Sequence, residues 1–340
     1  MSTNKHRTSL KDLAKELGVS IATVSRALRN SPEIGKDMQT RVKELARQLN
    51  YRPNPFARSL RREAPKIIGV VVPNLVTHYY AAVLDGIESE AAKEGYSVIS
   101  ANSHEDFETE ARTIDNFIDM HVEGIIACLA QNTTDYSHFE ELQRMGIPLV
   151  FFGRTCLTDM FSSVTANGDE AAQLATQHLI DTGSRRIAFI GGPNHLDMVR
   201  RRKHGYLEAL RASRIPIDRD MVVCDKIDYD LAISSTKELL SRPDRPDAIL
   251  AFNDIITFAA FTAIKQMGLR IPEDVALIGF TDDVHAAYVT PRMSAIEDQS
   301  HLMGATACQL LLRAIAGDRT IYRERVPQRL VIRETSAKYK

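Results

Sequence analysis

Apolar positions in the first fifty residues recur at helical spacing. Leu10, Leu13, Ala14 and Leu17 share one face of a short helix, Gly18 permits a turn, and Ser20 can cap a second helix whose Val24, Ala27 and Leu28 face inward. A third helix is predicted from Lys36 to Leu49, with Val42, Leu45, Ala46 and Leu49 as its inner stripe. It must stop at "NYRPNP", where prolines forbid continuation. The result is a three-helix, helix-turn-helix pattern that leaves Ile21, Ala22, Thr23, Ser25 and Arg26 pointing away from the core. Ile21 and Ala22 could instead complete so small a core. Small apolar side chains also suit thymine methyls, and an arginine fork suits O6 and N7 of guanine, so this face is a candidate for the major groove.

From Lys66 the pattern changes to short apolar runs alternating with helical segments. "KIIGVVV", "YSVISA", "EGIIACL" and "IPLVFF" read as strands, separated by helices through "YYAAVLDGIESEAAKEG", "ETEARTIDNFIDMH" and "YSHFEELQRMG". The rhythm then repeats, with strands at "RRIAFIGG", "MVVCD", "DAILAF" and "DVALIGF". Gly86 and Gly205 fall 19 and 18 residues after the first strand residues Ile67 and Ile187, each inside the next helix. The expected fold is an all-α helix-turn-helix head followed by an α/β body of two doubly wound parallel-sheet lobes. Such sheets bind ligands beyond the C-terminal ends of their strands, which places a site in the crevice between the lobes. Residues just past strand ends become its candidates: Tyr79, Tyr80, Arg154, Arg202, Asn253 and Asp282. Aromatic faces beside arginine, asparagine and aspartate suit a polyhydroxylated ring.

Charge sharpens the division. The chain has 340 residues and a net charge of −1, yet residues 1–62 hold 14 Lys/Arg against 5 Asp/Glu. That is a balance of +9 on the head and −10 on the remainder, the distribution expected when one part grips a polyanion. A hydrophobic content of 44% and a charged content of 26% are ordinary for a soluble globular protein. No apolar run approaches the ~18 residues of a bilayer span, and "MSTNKHRT" leads into no apolar signal segment, so a cytoplasmic location is expected. Cys128, Cys156, Cys224 and Cys308 are scattered without C-x-x-C spacing and read as reduced thiols, not as a zinc site. No nucleophile elbow, phosphate loop or H-E-x-x-H motif occurs. Neither catalysis nor a cofactor or metal is expected.

"KDLAKELGVSIATVSRALRN", "NYRPNPFARSLR" and the body to about residue 333 resemble the lactose-repressor/galactose-repressor (LacI–GalR) family of bacterial transcription regulators. The resemblance implies a periplasmic-binding-protein-like body, and a homodimer on a palindromic operator in double-stranded DNA. It also implies a small effector between the lobes, expected to be a sugar or sugar derivative. On matching positions it implies that Ile21, Ala22 and Arg26 read bases, while Ser20, Thr23 and Ser25 hold phosphates or cap the helix. Residues 54–63 would be a hinge helix, with Asn54, Ala57, Arg58 and Leu60 at the DNA and Leu60 wedged into the minor groove. Two turns of helix are too short to be stable alone, so that segment should fold only against a partner.

The implied domains are 1–53, 54–63 and 64–340, with lobe 1 at about 64–163 and 292–324 and lobe 2 at about 164–291 and 325–340. The chain would cross between lobes near 163, 291 and 325, and "RVPQRLVIRETS" would pair back on the second lobe. Arg202 and Asn253 match effector positions of the family. "GFTDD" departs from the usual acidic pair by placing Thr281 first, and Ile227 stands where purine-responsive members carry a stacking aromatic, which argues against a purine. The competing function is a free sugar-binding protein of periplasmic type, which would need a signal sequence and no basic head.

Overall fold

The computed structural model describes residues 8–49, 51, 66–281 and 284–337. Residues 8–49 and 51 belong to a helical unit, with α1 at Leu10–Leu17, α2 at Ile21–Leu28 and α3 at Lys36–Gln48. Ser9 caps α1 through a reciprocal pair: its hydroxyl accepts from the Asp12 amide, and the Asp12 carboxylate accepts from the Ser9 amide at 2.8 Å. Gly18 then takes the left-handed conformation, φ 65°, that ends α1. Leu13, Ala14, Val24, Ala27, Val42 and Ala46 are buried together, with Leu45 packed against them. Leu49 corrects the expected inner stripe. It lies one residue past the end of α3, is 39% exposed, and offers its carbonyl to the Thr8 hydroxyl.

The second unit, from Lys66 onward, holds two six-stranded sheets. The first joins β1 Ile67–Val72, β2 Ser97–Asn102, β3 Gly124–Ala127, β4 Leu149–Phe152, β5 Ser162–Ala166 and β11 Arg323–Val326, in the order β11-β5-β4-β3-β1-β2. Its helices are α4 His78–Lys93, α5 Phe107–Asp119 and α6 Ser137–Met145. The second joins β6 Ile187–Gly191, β7 Val222–Cys224, β8 Ala248–Ala251, β9 Ala276–Phe280, β10 Ser294–Glu297 and β12 Arg329–Val331, in the order β12-β10-β9-β8-β6-β7. Its helices are α7 Gly168–Asp181, α8 Asp197–Ala212, α9 Tyr229–Ser241 and α10 Asp254–Gln266, while α11 Ser300–Ile315 returns the chain to the first lobe. All pairs are parallel except β10 with β12.

A parallel sheet covered on both faces needs apolar residues at every position, which is why "IIGVVV" is continuous. Ile68, Val70 and Val72 point into one core with α4 and α11, and Val71 into the other with Phe117 and Phe139.

The lobe boundaries need correction. β5 stays in the first sheet to Ala166, β10 pairs with β9 in the second, and β11 keeps its place in the first to Val326. The three crossovers therefore fall at 166–168, 297–300 and 326–329, each a few residues after 163, 291 and 325. Strand pairing, not the helix that follows, fixes where each lobe ends. β12 does pair back on the second lobe.

Gly86 and Gly205 mark equivalent close approaches. A Cβ on Gly86 would lie 2.1 Å from the His301 carbonyl oxygen of α11, and one on Gly205 would lie 1.9 Å from that of Asp169 in α7. In both lobes the helix after the first strand thus crosses a crossover helix at backbone contact distance.

Candidate functional site

On α2, Ile21, Ala22 and Arg26 are exposed, and Thr23 is half-buried. Ser20 caps the helix by accepting from the Thr23 amide at 3.1 Å. Ser25 differs from the expected outward position. It is only 9% exposed, and its hydroxyl accepts from Arg29 Nη2 at 3.0 Å, because it adjoins Val24 on the inner edge of the helix. Arg26 pairs with Glu33 at 3.1 Å, with both side chains more than half exposed, so the pair is weak and easily exchanged for another partner. Asn54, Ala57, Arg58 and Leu60 lie outside the described residues, as does Asp282.

In the body, the structure gathers Tyr79, Tyr80, Arg154, Arg202 and Asn253 around one hollow of about 50 Å³. Tyr79, Tyr80, Arg154 and Asn253 follow a strand end or open the next helix, and Arg202 stands in the second turn of α8, so the two sheets and that helix deliver them to a common place. Arg202 is 2% exposed. Its Nη2 donates to both Asp298 oxygens at 3.0 and 3.3 Å, its Nη1 donates to the Phe252 carbonyl, and Phe280 lies 3.7 Å beneath the guanidinium. Its Nε is buried without a hydrogen-bond partner. Gln328 also donates to Asp298.

Arg154 is 6% exposed and forks onto Glu105 at 2.6 and 2.9 Å. Tyr79 and Tyr80 meet edge to face at 5.0 Å, and burial pushes both phenols well above their ordinary pKa. Burial likewise lifts the neighbouring Cys128 thiol to about 11, which keeps it protonated and unreactive. Asn253 caps α10, accepting from the Ile256 amide at 3.1 Å.

Glu105 also links the lobes. Its Oε2 accepts from the Gln131 amide at 2.7 Å, and Gln131 then reaches the second lobe twice. The Gln131 carbonyl accepts from His195 Nε2 at 2.7 Å, and its side-chain oxygen accepts from the Ile227 amide at 2.9 Å. Ile227 itself packs in the second-lobe core beside Gly192.

Residues 9–54 match the family described as bacterial regulatory proteins, lacI family, and residues 176–336 match a periplasmic binding protein-like domain. The chain is 34% identical over 309 residues to the ribose operon repressor of Bacillus subtilis (strain 168), covering 90% of this chain and 91% of that protein. The chain belongs to the lacI family.

Its fold matches that of solved transcription regulators. The structure of the transcriptional regulator CelR–cellobiose complex is 29% identical, covers 97% of this chain and 100% of that one, and superposes with a TM-score of 0.74. The lac repressor dimer bound to operator and an anti-inducer, at 24% identity, shares the fold with a TM-score of 0.83, covering 97% of this chain and 99% of that one. This lacI-family chain is a DNA-binding transcription regulator with a helix-turn-helix head and a two-lobed α/β body, which excludes the free binding-protein reading. Pattern reading missed Glu105 and Asp298, the two carboxylates that hold the hollow's arginines. Both stand just past strand ends, the same signal that found the others, but Asp298 follows β10, which the pattern did not reveal.

Proposed function

We propose that the chain is a homodimeric repressor that reads a palindromic operator through α2 and is switched by a sugar or sugar derivative between its lobes. On this reading Ile21, Ala22 and Arg26 meet bases, and Ser20 and Thr23 meet phosphates. Tyr79, Tyr80, Arg154, Arg202 and Asn253 meet the effector, while Asn54, Ala57, Arg58, Leu60 and Asp282 keep the roles that the family resemblance implies. The carrying observation is the hollow itself, with two buried guanidiniums among aromatic faces at the carboxyl ends of both sheets. One relative is named for a ribose operon and another is solved as a complex with cellobiose, and both names point to the sugar class.

Ligand pockets usually span roughly 300–1,000 Å³. A hollow of about 50 Å³ must widen to admit a sugar, so effector binding is coupled to separation of the lobes. No helix among the described residues is long and apolar enough to cross a membrane. A regulator of this kind works in the cytoplasm beside the chromosome, without catalysis and without a cofactor.

The test has two parts. A thermal-shift screen of sugars and sugar acids should raise the melting temperature with one chemical class, because a ligand bound only to the folded state stabilises it. Fluorescence anisotropy on an operator obtained by in vitro selection should show that Arg26→Ala loses ~1–3 kcal/mol on the selected site and little on random DNA. Equal losses on both DNAs would reduce Arg26 to a phosphate contact.

A further inference from the structure

A basin of about 410 Å³ opens between the lobes on the flank of the hollow, and Arg154 borders both. Strand pairing builds one wall. β5 and β11 are parallel neighbours, with Arg323 opposite Ser163 and Arg325 opposite Thr165, and the two-residue period of strands places all four on one face. All four line the basin, and the start of α8 contributes Arg200 and Arg201 from the other lobe.

Five guanidiniums converge there. Three carboxylates answer them: Glu105 takes Arg154, Asp197 takes Arg200 and Arg201, and Asp159 takes Arg323. Asp169 adds a further negative charge near Arg201, while Arg325 forms no ion pair among the described residues, so the basin keeps a positive surplus against the balance of −10 that the chain carries beyond residue 62. Arg201 engages Asp197 through Nε alone, leaving both terminal nitrogens without a hydrogen bond among the described residues. Among the described residues Arg325 hydrogen-bonds only to Asn167, at 3.4 Å. The Ser163 and Thr165 side-chain hydroxyls also make no hydrogen bond among the described residues.

We propose that this basin is an anion subsite that takes a phosphate or comparable dianion, gripped by Arg201 from one lobe and Arg325 from the other, with Ser163 and Thr165 donating hydroxyl hydrogen bonds. The positive surplus favours an anion, and free planar nitrogens suit its oxygens in pairs. Because the two arginines belong to different lobes, the bound anion ties the lobes together. The dianion has two possible sources. It is either a free ion or the charged group of a metabolite whose body sits in the hollow, and the second source rests on the effector reading above.

Isothermal titration of the full-length protein at fixed ionic strength tests this, with inorganic phosphate, a neutral sugar that the screen identifies, and the phosphate ester of that sugar. Phosphate should bind once per chain, and Arg201→Gln and Arg325→Gln should each weaken it at least about tenfold. Both side chains are solvent-accessible, so the melting temperatures of the unliganded variants should match the wild type. A sugar phosphate that binds more tightly than its parent sugar, and loses that advantage in Arg325→Gln, assigns the dianion to the effector. Phosphate that binds alongside the neutral sugar assigns it to a separate ligand. Phosphate binding no stronger than chloride, or unchanged in both variants, overturns the subsite. Normal binding of the neutral sugar in that case would leave the effector reading standing.

Discussion

Arg202 shows how a single buried side chain can be both a ligand contact and a structural member. Truncating it takes the guanidinium away from the buried Asp298 carboxylate, and breaking a buried ion pair costs about 3–5 kcal/mol. Arg202→Ala should therefore lower stability by roughly that amount in urea denaturation and also abolish effector response; a fully stable variant would mean that the ion pair adds nothing to folding. His178 gives a pH prediction. Burial depresses its pKa, while a hydrogen bond to the Ser336 backbone and the Asp181 charge pull the other way. The unfolded chain then binds the proton more readily, so stability falls as pH drops below the ordinary histidine value of about 6.5. The loss of melting temperature between about pH 7.5 and about pH 5.5 should be smaller in His178→Gln than in the wild type. Much of the candidate site was legible at this scale because Tyr79, Arg154 and Asn253 follow strong strands or open the next helix, and Arg202 lies in the second turn of the helix after one. Glu105 was not, since it stands with His104 in left-handed backbone, φ 59° and 54°, and no residue type there announces such a bend.

Helices α4 and α11 meet where Gly86 and Gly304 each face the other's backbone, at ideal Cβ distances of 2.1 and 1.9 Å from carbonyl oxygens. A methyl group there cannot be absorbed by a rotamer change, because the obstruction is main chain. Gly86→Ala should force the helices apart and cost about 1–3 kcal/mol, read from the midpoint of urea unfolding, whereas alanine at the open Gly35 should cost far less. The repeated glycine was visible in the sequence as a spacing, but its partner helices were not. β5 and β10, "SSVTA" and "SAIE", lack the apolar runs that betray a buried strand, so the rhythm was lost at both places and the helices after them, α7 and α11, went unread. The helix-turn-helix elements were clearer because the capping serines Ser9 and Ser20 and the turn glycine are local signals that need no tertiary context.

Across the two lobes, Gln131 is the hydrogen-bonded tie between halves that must part to admit a ligand. Gln131→Ala leaves the Ile227 amide without its acceptor, an orphaned buried group worth about 1–3 kcal/mol, and should shift the balance toward separated lobes. Hydrogen exchange at Ile227 checks this: protection should be lower in the variant than in the wild type. The two-lobed plan was legible from its repeated rhythm, while the crossover positions were not, because they depend on which sheet claims each short strand. Those crossovers also bear on how the protein is made. The first sheet waits for β11 at Arg323–Val326 to complete its edge beside β5, and the second waits for β12 at Arg329–Val331. A ribosome must therefore deliver almost the whole body before either lobe can close its sheet, while the helical head has all its packing partners by Tyr51. During synthesis the nascent body holds two unfinished sheet edges at once, open to pairing with a neighbouring chain, and this is the interval in which chaperone contact matters most.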